Sequence, residues 1–229
     1  KPDFITIAGS GEPTLCRNLE EIIRGIKSIS NIPVAILTNG TLLHLQDVRN
    51  ALSEIDVVCP SLDAGNEVTF QKINRPVESI SFKTFLDGLI KFRQEYKGKI
   101  WLEVMLLKGI NDSPNELTQI AECASLVSPD KIHLNTVTRP PAETDVKGIS
   151  FDEMKEISKI FNPPAEIIAE IKVTQSDIES RDKNLTEPIE EQILEIIQRH
   201  PGTPIELSAM LGYSLETIIK SLEKLLKDG

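Results

Sequence analysis

Short apolar runs alternate with amphipathic helix patterns along the first 171 residues of the chain. The runs are almost continuous in valine, isoleucine and leucine, which is typical of strands buried on both faces of a parallel sheet. Repeated strand–helix units predict a parallel α/β domain. One helical stripe consists of Leu19, Ile22, Ile23, Ile26 and Ile29. The predicted strands cover residues 4–8, 34–38, 57–62, 100–107, 131–137 and 166–171.

The number of strands limits the barrel that this domain can form. A closed barrel of eight strand–helix units takes about 250 residues, whereas six strands are predicted here over residues 1–171. We therefore expect a partial (β/α) barrel with parallel strands, or a fragment of a larger one. Because the chain opens directly on a strand, we expect an earlier strand–helix unit to precede it.

The sequence changes character after residue 171. Residues 172–186 are polar and aperiodic, which predicts a linker. Residues 187–229 then contain three helical patterns, separated by Pro201-Gly-Thr-Pro204 and by Gly212. Two helices, a tight turn with glycine and a further helix are typical of a helix-turn-helix. We therefore predict a small all-α, winged-helix-like C-terminal domain.

Charge and cysteine content restrict the partners and the compartment. The formal net charge of −10 repels a phosphate backbone, and residues 187–229 hold eight acidic and four basic residues. Nucleic-acid binding is therefore disfavoured, and a protein or substrate partner is the alternative for the C-terminal domain. No apolar run is long enough for a membrane-spanning helix. Cys16, Cys59 and Cys123 lie far apart, which indicates a reducing cytoplasm.

Polar residues collect where the predicted strands end. Ligands of parallel α/β folds bind at the carboxyl ends of the strands, so these residues predict a pocket. Structural explanations stay open as well: Asn39-Gly40 suits a plain turn, Asp63 suits a helix cap, and Asn135 suits a loop contact. The polar segments are Gly9-Ser-Gly-Glu12, Thr38-Asn-Gly40, Ser61-Leu-Asp63, Lys108-Gly-Ile-Asn-Asp112 and Asn135-Thr-Val-Thr-Arg139.

The first three polar segments, taken in order, resemble the core of radical S-adenosylmethionine (SAM) enzymes. The resemblance covers about residues 3–140, and the strand pattern extends it to about residue 171. Within that superfamily, residues 102–112 and 133–143 look most like iron–sulfur oxidoreductases related to the wyosine-type tRNA-modifying synthases. The segments that carry the resemblance are Ala8-Gly-Ser-Gly-Glu-Pro-Thr-Leu15, Leu37-Thr-Asn-Gly-Thr41, Pro60-Ser-Leu-Asp-Ala64 and Thr69-Phe-Gln-Lys-Ile-Asn-Arg75.

The resemblance implies a SAM site and assigns residues to it. Ser10, Gly11 and Glu12 match the Gly-Gly-Glu element that holds the methionyl amino group of SAM, with serine at the first position. An ammonium group needs several convergent acceptors, and free carbonyls at strand ends supply them. The other matching positions are Asn39 and Gly40 at the next strand end, Ser61 and Asp63 beside the ribose or carboxylate, and Ile110, Asn135 and Val137 along the adenine.

The resemblance also implies a 4Fe-4S cluster, at which SAM is reductively cleaved so that a 5′-deoxyadenosyl radical abstracts hydrogen from a substrate. An electron-donor protein is implied with it. A Cys-x3-Cys-x2-Cys run holds that cluster in the family, and this chain contains no such run. We expect the cluster ligands upstream of Lys1, in the preceding strand–helix unit. The alternative is a degenerate member without radical chemistry.

Two further functions are consistent with the sequence. The α/β domain of a regulator could bind a small ligand while a winged helix binds DNA or a partner. A barrel hydrolase could instead use Glu12 and Asp63 as an acid–base pair, which requires the two carboxyl groups to face each other across an open cleft.

Overall fold

The computed structural model describes residues 2–9, 11–137 and 146–168, and in the C-terminal part residues 189–190, 193–194, 197, 203–211 and 213–228. Two compact units divide the chain, Lys1–Ala169 and Glu170–Gly229. The predicted linker, Arg139 and the predicted site residue Ser10 lie outside the described residues.

A six-stranded parallel sheet forms the centre of the first unit. Its strands are hydrogen-bonded in the order in which they occur in the chain, so each helical connection leads to the next neighbour. This sequential parallel order is that of a (β/α) barrel wall and confirms the predicted fold class. The strands are β1 (Ile5–Ile7), β2 (Val34–Thr38), β3 (Val57–Pro60), β4 (Lys99–Leu106), β5 (Lys131–Thr136) and β6 (Glu166–Ile167).

Helices connect the strands, and several begin at a serine cap. Ser81, Ser113 and Ser150 each accept a hydrogen bond from a backbone N–H of the first helical turn. Ser150 and Glu153 form a complete capping box, because Glu153 also accepts from the Ser150 backbone. The helices are α1 (Leu19–Ile29), α2 (Gln46–Ala51), α3 (Glu67–Ile73), α4 (Phe82–Glu95), α5 (Pro114–Val127) and α6 (Phe151–Ile157), with 3-10 turns at Pro13–Leu15 and Ser158–Ile160.

The two faces of β4 and β5 differ, contrary to the expectation that both faces are buried. Leu102 and Val104 are fully buried, whereas Glu103 between them is half-buried on the opposite face. That face is concave, since the rings of Phe4, beside β1, and Trp101, in β4, lie 5.4 Å apart although the two strands are not neighbours. Sheet curvature thus leaves a partly polar hollow on one side.

The second unit has its own apolar core. Helical backbone is present at residues 189–190, 193–194 and 197, and two further helices are α7 (Pro204–Leu211) and α8 (Leu215–Asp228). Ser214 caps α8 by accepting a hydrogen bond from the Thr217 backbone. The core consists of Ile189, Ile193, Leu207, Tyr213 and Ile218. The winged-helix assignment stays a prediction. In the part of the chain that the structure describes, no helix is long and apolar enough to cross a membrane.

Candidate functional site

A cavity of about 340 Å³ opens at the carboxyl ends of β1, β2 and β3, beside the middle of β4. Its position is the one at which parallel α/β folds bind their ligands. Its lining includes Gly9, Gly11 and Glu12 after β1, Asn39 after β2, Ser61 after β3 and Glu103 within β4. Gly11, Glu12, Asn39 and Ser61 were predicted from the sequence, and the fold brings these four together.

The Glu12 carboxylate ties the loop after β1 to the end of β2. Its Oε1 accepts from the Thr14 N–H at 3.0 Å and from the hydroxyls of Thr14 and Thr38, each at 2.6 Å. Its Oε2 accepts from the Asn39 N–H at 2.7 Å. Charge-assisted hydrogen bonds of this kind are the stronger ones, so the carboxylate holds the rim of the cavity in place.

Nothing in the protein packing requires glycine at position 11. A Cβ built on Gly11 would meet no atom within 4 Å, and the φ angle of Gly11 lies outside the left-handed region. Gly40 differs, since it has a φ of 74° and a Cβ there would lie 3.3 Å from Phe85. Gly40 is thus a turn and packing residue, whereas Gly11 leaves room for a ligand to approach the backbone.

Asn135 acts on the cavity through Glu103. Its Nδ2 donates to Glu103 Oε1 at 2.9 Å, and its Oδ1 accepts from the Thr136 N–H at 2.9 Å. The same carboxylate adds to the effect of burial in raising the pKa of the Cys59 thiol to about 11. Glu103 was not among the site residues predicted from the sequence. The signal for it was a charged residue within an otherwise apolar strand.

Asp63 lies outside the cavity wall and connects three elements. Its Oδ1 accepts from the Met105 N–H of β4 at 2.8 Å, and its Oδ2 accepts from Asn74 at the end of α3, at 3.1 Å. Asn111 is fully buried and donates to the Asp63 and Met105 carbonyls, 2.8 Å each. Asp63 therefore supplies a hydrogen-bond acceptor to the Met105 N–H of β4, beyond the point at which β3 ends. The hypothesis of an acid–base pair formed by Glu12 and Asp63 is wrong, because Asp63 does not line the cavity that contains Glu12.

Burial raises the pKa of the Asp63 carboxyl to about 6, although the Met105 N–H and Asn74 oppose the shift. The folded protein therefore keeps a proton that the unfolded chain releases near pH 4. Because the folded state binds more protons in that window, this group lowers the free energy of unfolding as the pH rises from about 4 to about 6.

We expect Asp63→Asn to remove that pH dependence. The stability of the wild type relative to the variant should fall by about 2 kcal/mol between pH 4 and pH 7. Urea unfolding at both pH values measures the difference, and the variant serves as the baseline because all other groups titrate in both proteins. A difference that stays constant across this range would contradict the raised pKa.

Other predicted site residues are absent from the wall of the cavity. Ile110 follows β4 and Val137 follows β5, and both are half-buried. Their predicted contact with an adenine stays a prediction, as does a ribose contact by Asp63. Gly40, Asp63, Ile110, Asn135 and Val137 are the predicted site residues that do not line the cavity.

The three cysteines of the chain do not fit a 4Fe-4S cluster. Cys16 is exposed after a 3-10 turn, Cys59 lies in β3, and Cys123 is buried in α5. Burial raises the pKa values of the Cys59 and Cys123 thiols, which is the opposite of what thiolate ligands need. Among the described residues, no group of three or more His, Cys, Asp or Glu side chains could hold a metal ion.

A second hollow of about 450 Å³ lies between the loop after β4 and α6. Lys108 pairs there with Glu153 at 2.5 Å and with Asp112 at 3.5 Å, and its ammonium holds the pKa of Glu153 at about 2. Lys108 is thus occupied by two carboxylates, and Asp152 and Glu156 add further negative charge to the lining of this hollow.

Comparison with known families identifies the α/β unit. A model described as the radical SAM superfamily matches residues 4–121 of the chain. The chain belongs to the radical SAM superfamily. The match contains β1 to β4 and the whole cavity wall named above, so the cavity lies within the radical SAM domain.

Two relatives extend the similarity beyond that domain. A UPF0026 protein of Methanocaldococcus jannaschii is 35% identical over 215 residues, which are 93% of this chain and 66% of that protein. A Brachyspira hyodysenteriae protein named GTPase Obg is 39% identical over 227 residues, which are 99% of this chain and 33% of that protein. The chain thus spans between a third and two thirds of the length of these relatives.

Solved structures share the fold of the first unit. A domain of pyruvate-formate lyase-activating enzyme from Bacteroides vulgatus aligns with a TM-score of 0.57 at 16% identity, over 72% of this chain and 97% of that chain. A radical SAM methyltransferase from Sphaerobacter thermophilus aligns with a TM-score of 0.56 at 18% identity, over 73% of this chain and 51% of that chain. At this identity the likeness concerns the fold alone.

Proposed function

We propose that this protein is a radical SAM enzyme that binds SAM in the cavity at the ends of β1, β2 and β3. The observation that carries the proposal is the loop after β1. Gly11 has no packing reason to be glycine, it lines the cavity, and Glu12 beside it fixes the loop to β2. Such a loop can present backbone carbonyls to an ammonium group and leaves space for close approach.

The residues of this chain bind and orient the cofactor. Glu12 holds the rim, and Asn39 and Ser61 lie on the wall where polar groups of SAM could be hydrogen-bonded. The apolar strand bodies behind the cavity exclude water from one side. When bound together, SAM and a 4Fe-4S cluster supply a 5′-deoxyadenosyl radical for hydrogen abstraction, and the protein contributes position and seclusion.

The cluster requires ligands other than the three cysteines of this chain, and we propose that a segment upstream of Lys1 provides them. Within the superfamily we place the protein with the oxidoreductases related to the wyosine-type synthases, acting in the cytoplasm with a protein electron donor. Its substrate class is open, and the net charge of −10 argues against tight binding of tRNA by this chain alone.

Two measurements on the intact gene product test the proposal. After anaerobic reconstitution with iron and sulfide, we expect SAM binding by calorimetry and formation of 5′-deoxyadenosine on reduction. Absence of SAM binding would reject the assignment of the cavity. If the protein binds SAM but forms no 5′-deoxyadenosine with any reductant, it is a SAM-binding protein and the proposed enzymatic activity is rejected.

A ligand-binding regulator is the second candidate. The observation in its favour is the separate C-terminal unit, which has its own core around Ile193, Leu207 and Ile218. A winged helix that binds DNA would need a basic face, whereas two lysines of α8 are paired with glutamates, Lys220 with Glu216 and Lys224 with Glu190. Retention on DNA at low salt would support the regulator, and we expect none.

A further inference from the structure

The charges in the wall of the cavity are unbalanced. Two carboxylates, Glu12 and Glu103, are among the residues that line it, and none of the described lining residues carries a positive charge. A hollow with this composition attracts a cationic group and repels an anionic one. The question is which of the two carboxylates is available to a ligand.

Glu12 is engaged by the protein itself. Three donors converge on its Oε1 and the Asn39 N–H binds its Oε2. Its remaining capacity for a ligand is therefore small, because a carboxylate has about four acceptor positions. The predicted contact between Glu12 and the amino group of SAM would have to displace one of these donors.

Glu103 is held at one oxygen and is otherwise available. In the described part of the chain, Asn135 donates to its Oε1 at 2.9 Å, and no lysine or arginine there forms an ion pair with it. Its charge also acts on its surroundings, since it raises the pKa values of Cys59 and Asp63 together with burial. Of the two carboxylates in the wall, Glu103 is therefore the one with acceptor positions left for a ligand.

We propose that Glu103 is the residue that binds a cationic group of SAM, its ammonium or its sulfonium, and that Asn135 positions Glu103 for this contact. The inference rests on the proposed function, because it assumes that SAM occupies the cavity. Glu103 in β4 then makes the ionic contact with SAM, and Glu12 holds the loop after β1 against the end of β2. The cavity thereby selects cationic ligands over neutral ones of the same shape.

Glu103→Gln tests the proposal, because glutamine keeps the shape and can still accept from Asn135. We expect the affinity for SAM to fall about tenfold to a hundredfold, the loss of one charge-assisted contact. Binding of 5′-methylthioadenosine, which has neither an ammonium nor a sulfonium, should change less than about twofold. Glu122→Gln removes the same charge from an exposed position of α5 and should leave both affinities unchanged.

Binding of S-adenosylhomocysteine separates the two cationic groups. This ligand retains the ammonium and lacks the sulfonium, so an equal loss with Glu103→Gln identifies the ammonium, and no loss identifies the sulfonium. Asn135→Ala should weaken SAM binding by about two- to tenfold and leave the binding of 5′-methylthioadenosine unchanged. A merely structural effect of the substitution would weaken the binding of both ligands.

Two results would overturn this inference. One is unchanged SAM affinity of Glu103→Gln, and the other is an equal loss for all three ligands, which would indicate a packing effect. Calorimetry on the reconstituted intact protein gives the affinities, and thermal unfolding verifies that the variants fold. If the wild type itself fails to bind SAM, the proposed function fails first, so the two failures are distinguishable.

Discussion

Gly11→Val is expected to lower the affinity for SAM at least about a hundredfold while the protein keeps its stability. The side chain would meet no protein atom within 4 Å of its Cβ, and the backbone angle of Gly11 does not require glycine. It would, however, project from a residue of the cavity wall and occupy space that a bound ligand needs. Affinity by calorimetry and stability by urea unfolding give the two readouts.

Gly25→Val provides the matched control. Gly25 lies in α1, is exposed, and a Cβ there would also meet no atom within 4 Å. It does not line the cavity, so SAM affinity should stay unchanged, and stability should change by less than about 1 kcal/mol because the helix propensity of valine exceeds that of glycine by only a fraction of that amount. If Gly11→Val bound SAM as tightly as the wild type, SAM would not occupy the space beside this loop.

Glu12→Ala is expected to cost about 3 to 5 kcal/mol of stability. The carboxylate accepts four hydrogen bonds, two from Thr14 within the loop after β1 and two from Thr38 and Asn39 at the end of β2. Thr14 and Thr38 are buried, with exposed fractions of 7% and 5%, so their hydroxyls would lose a partner away from water. An unsatisfied buried hydroxyl costs more than the net value of the bond. Denaturant unfolding of the intact protein measures the loss.

Glu12→Gln separates the contacts of the two oxygens. The amide oxygen can take the place of Oε1 and keep the bonds from Thr14 and Thr38, while the amide nitrogen would face the Asn39 N–H, donor against donor. We expect a smaller loss of about 1 to 2 kcal/mol. Equal stability of Glu12→Ala and the wild type would mean that this carboxylate does not hold the rim.

Local patterns were enough to predict the architecture. Each strand was recognisable because a run of apolar residues extends over only a few neighbouring positions. Parallel strands place their carboxyl ends at one edge, so Gly11, Glu12, Asn39 and Ser61 could be expected together before any coordinate was known. These inferences need only the order of the residues and the geometry of strand and helix.

The tertiary structure decided which polar residues face the cavity and which hold the protein together. Glu103 within β4 and Asp63 after β3 are both acidic, yet Glu103 lines the cavity and Asp63 accepts from Met105 of β4 and from Asn74 at the end of α3. These different positions of Glu103 and Asp63 depend on the curvature of the sheet and on the point at which β3 ends beside β4. They also depend on the hydrogen bonds that Asn135 donates to Glu103 and Asn74 donates to Asp63. These donors are distant in sequence, and hydrogen bonds between distant residues leave no periodic pattern in the chain.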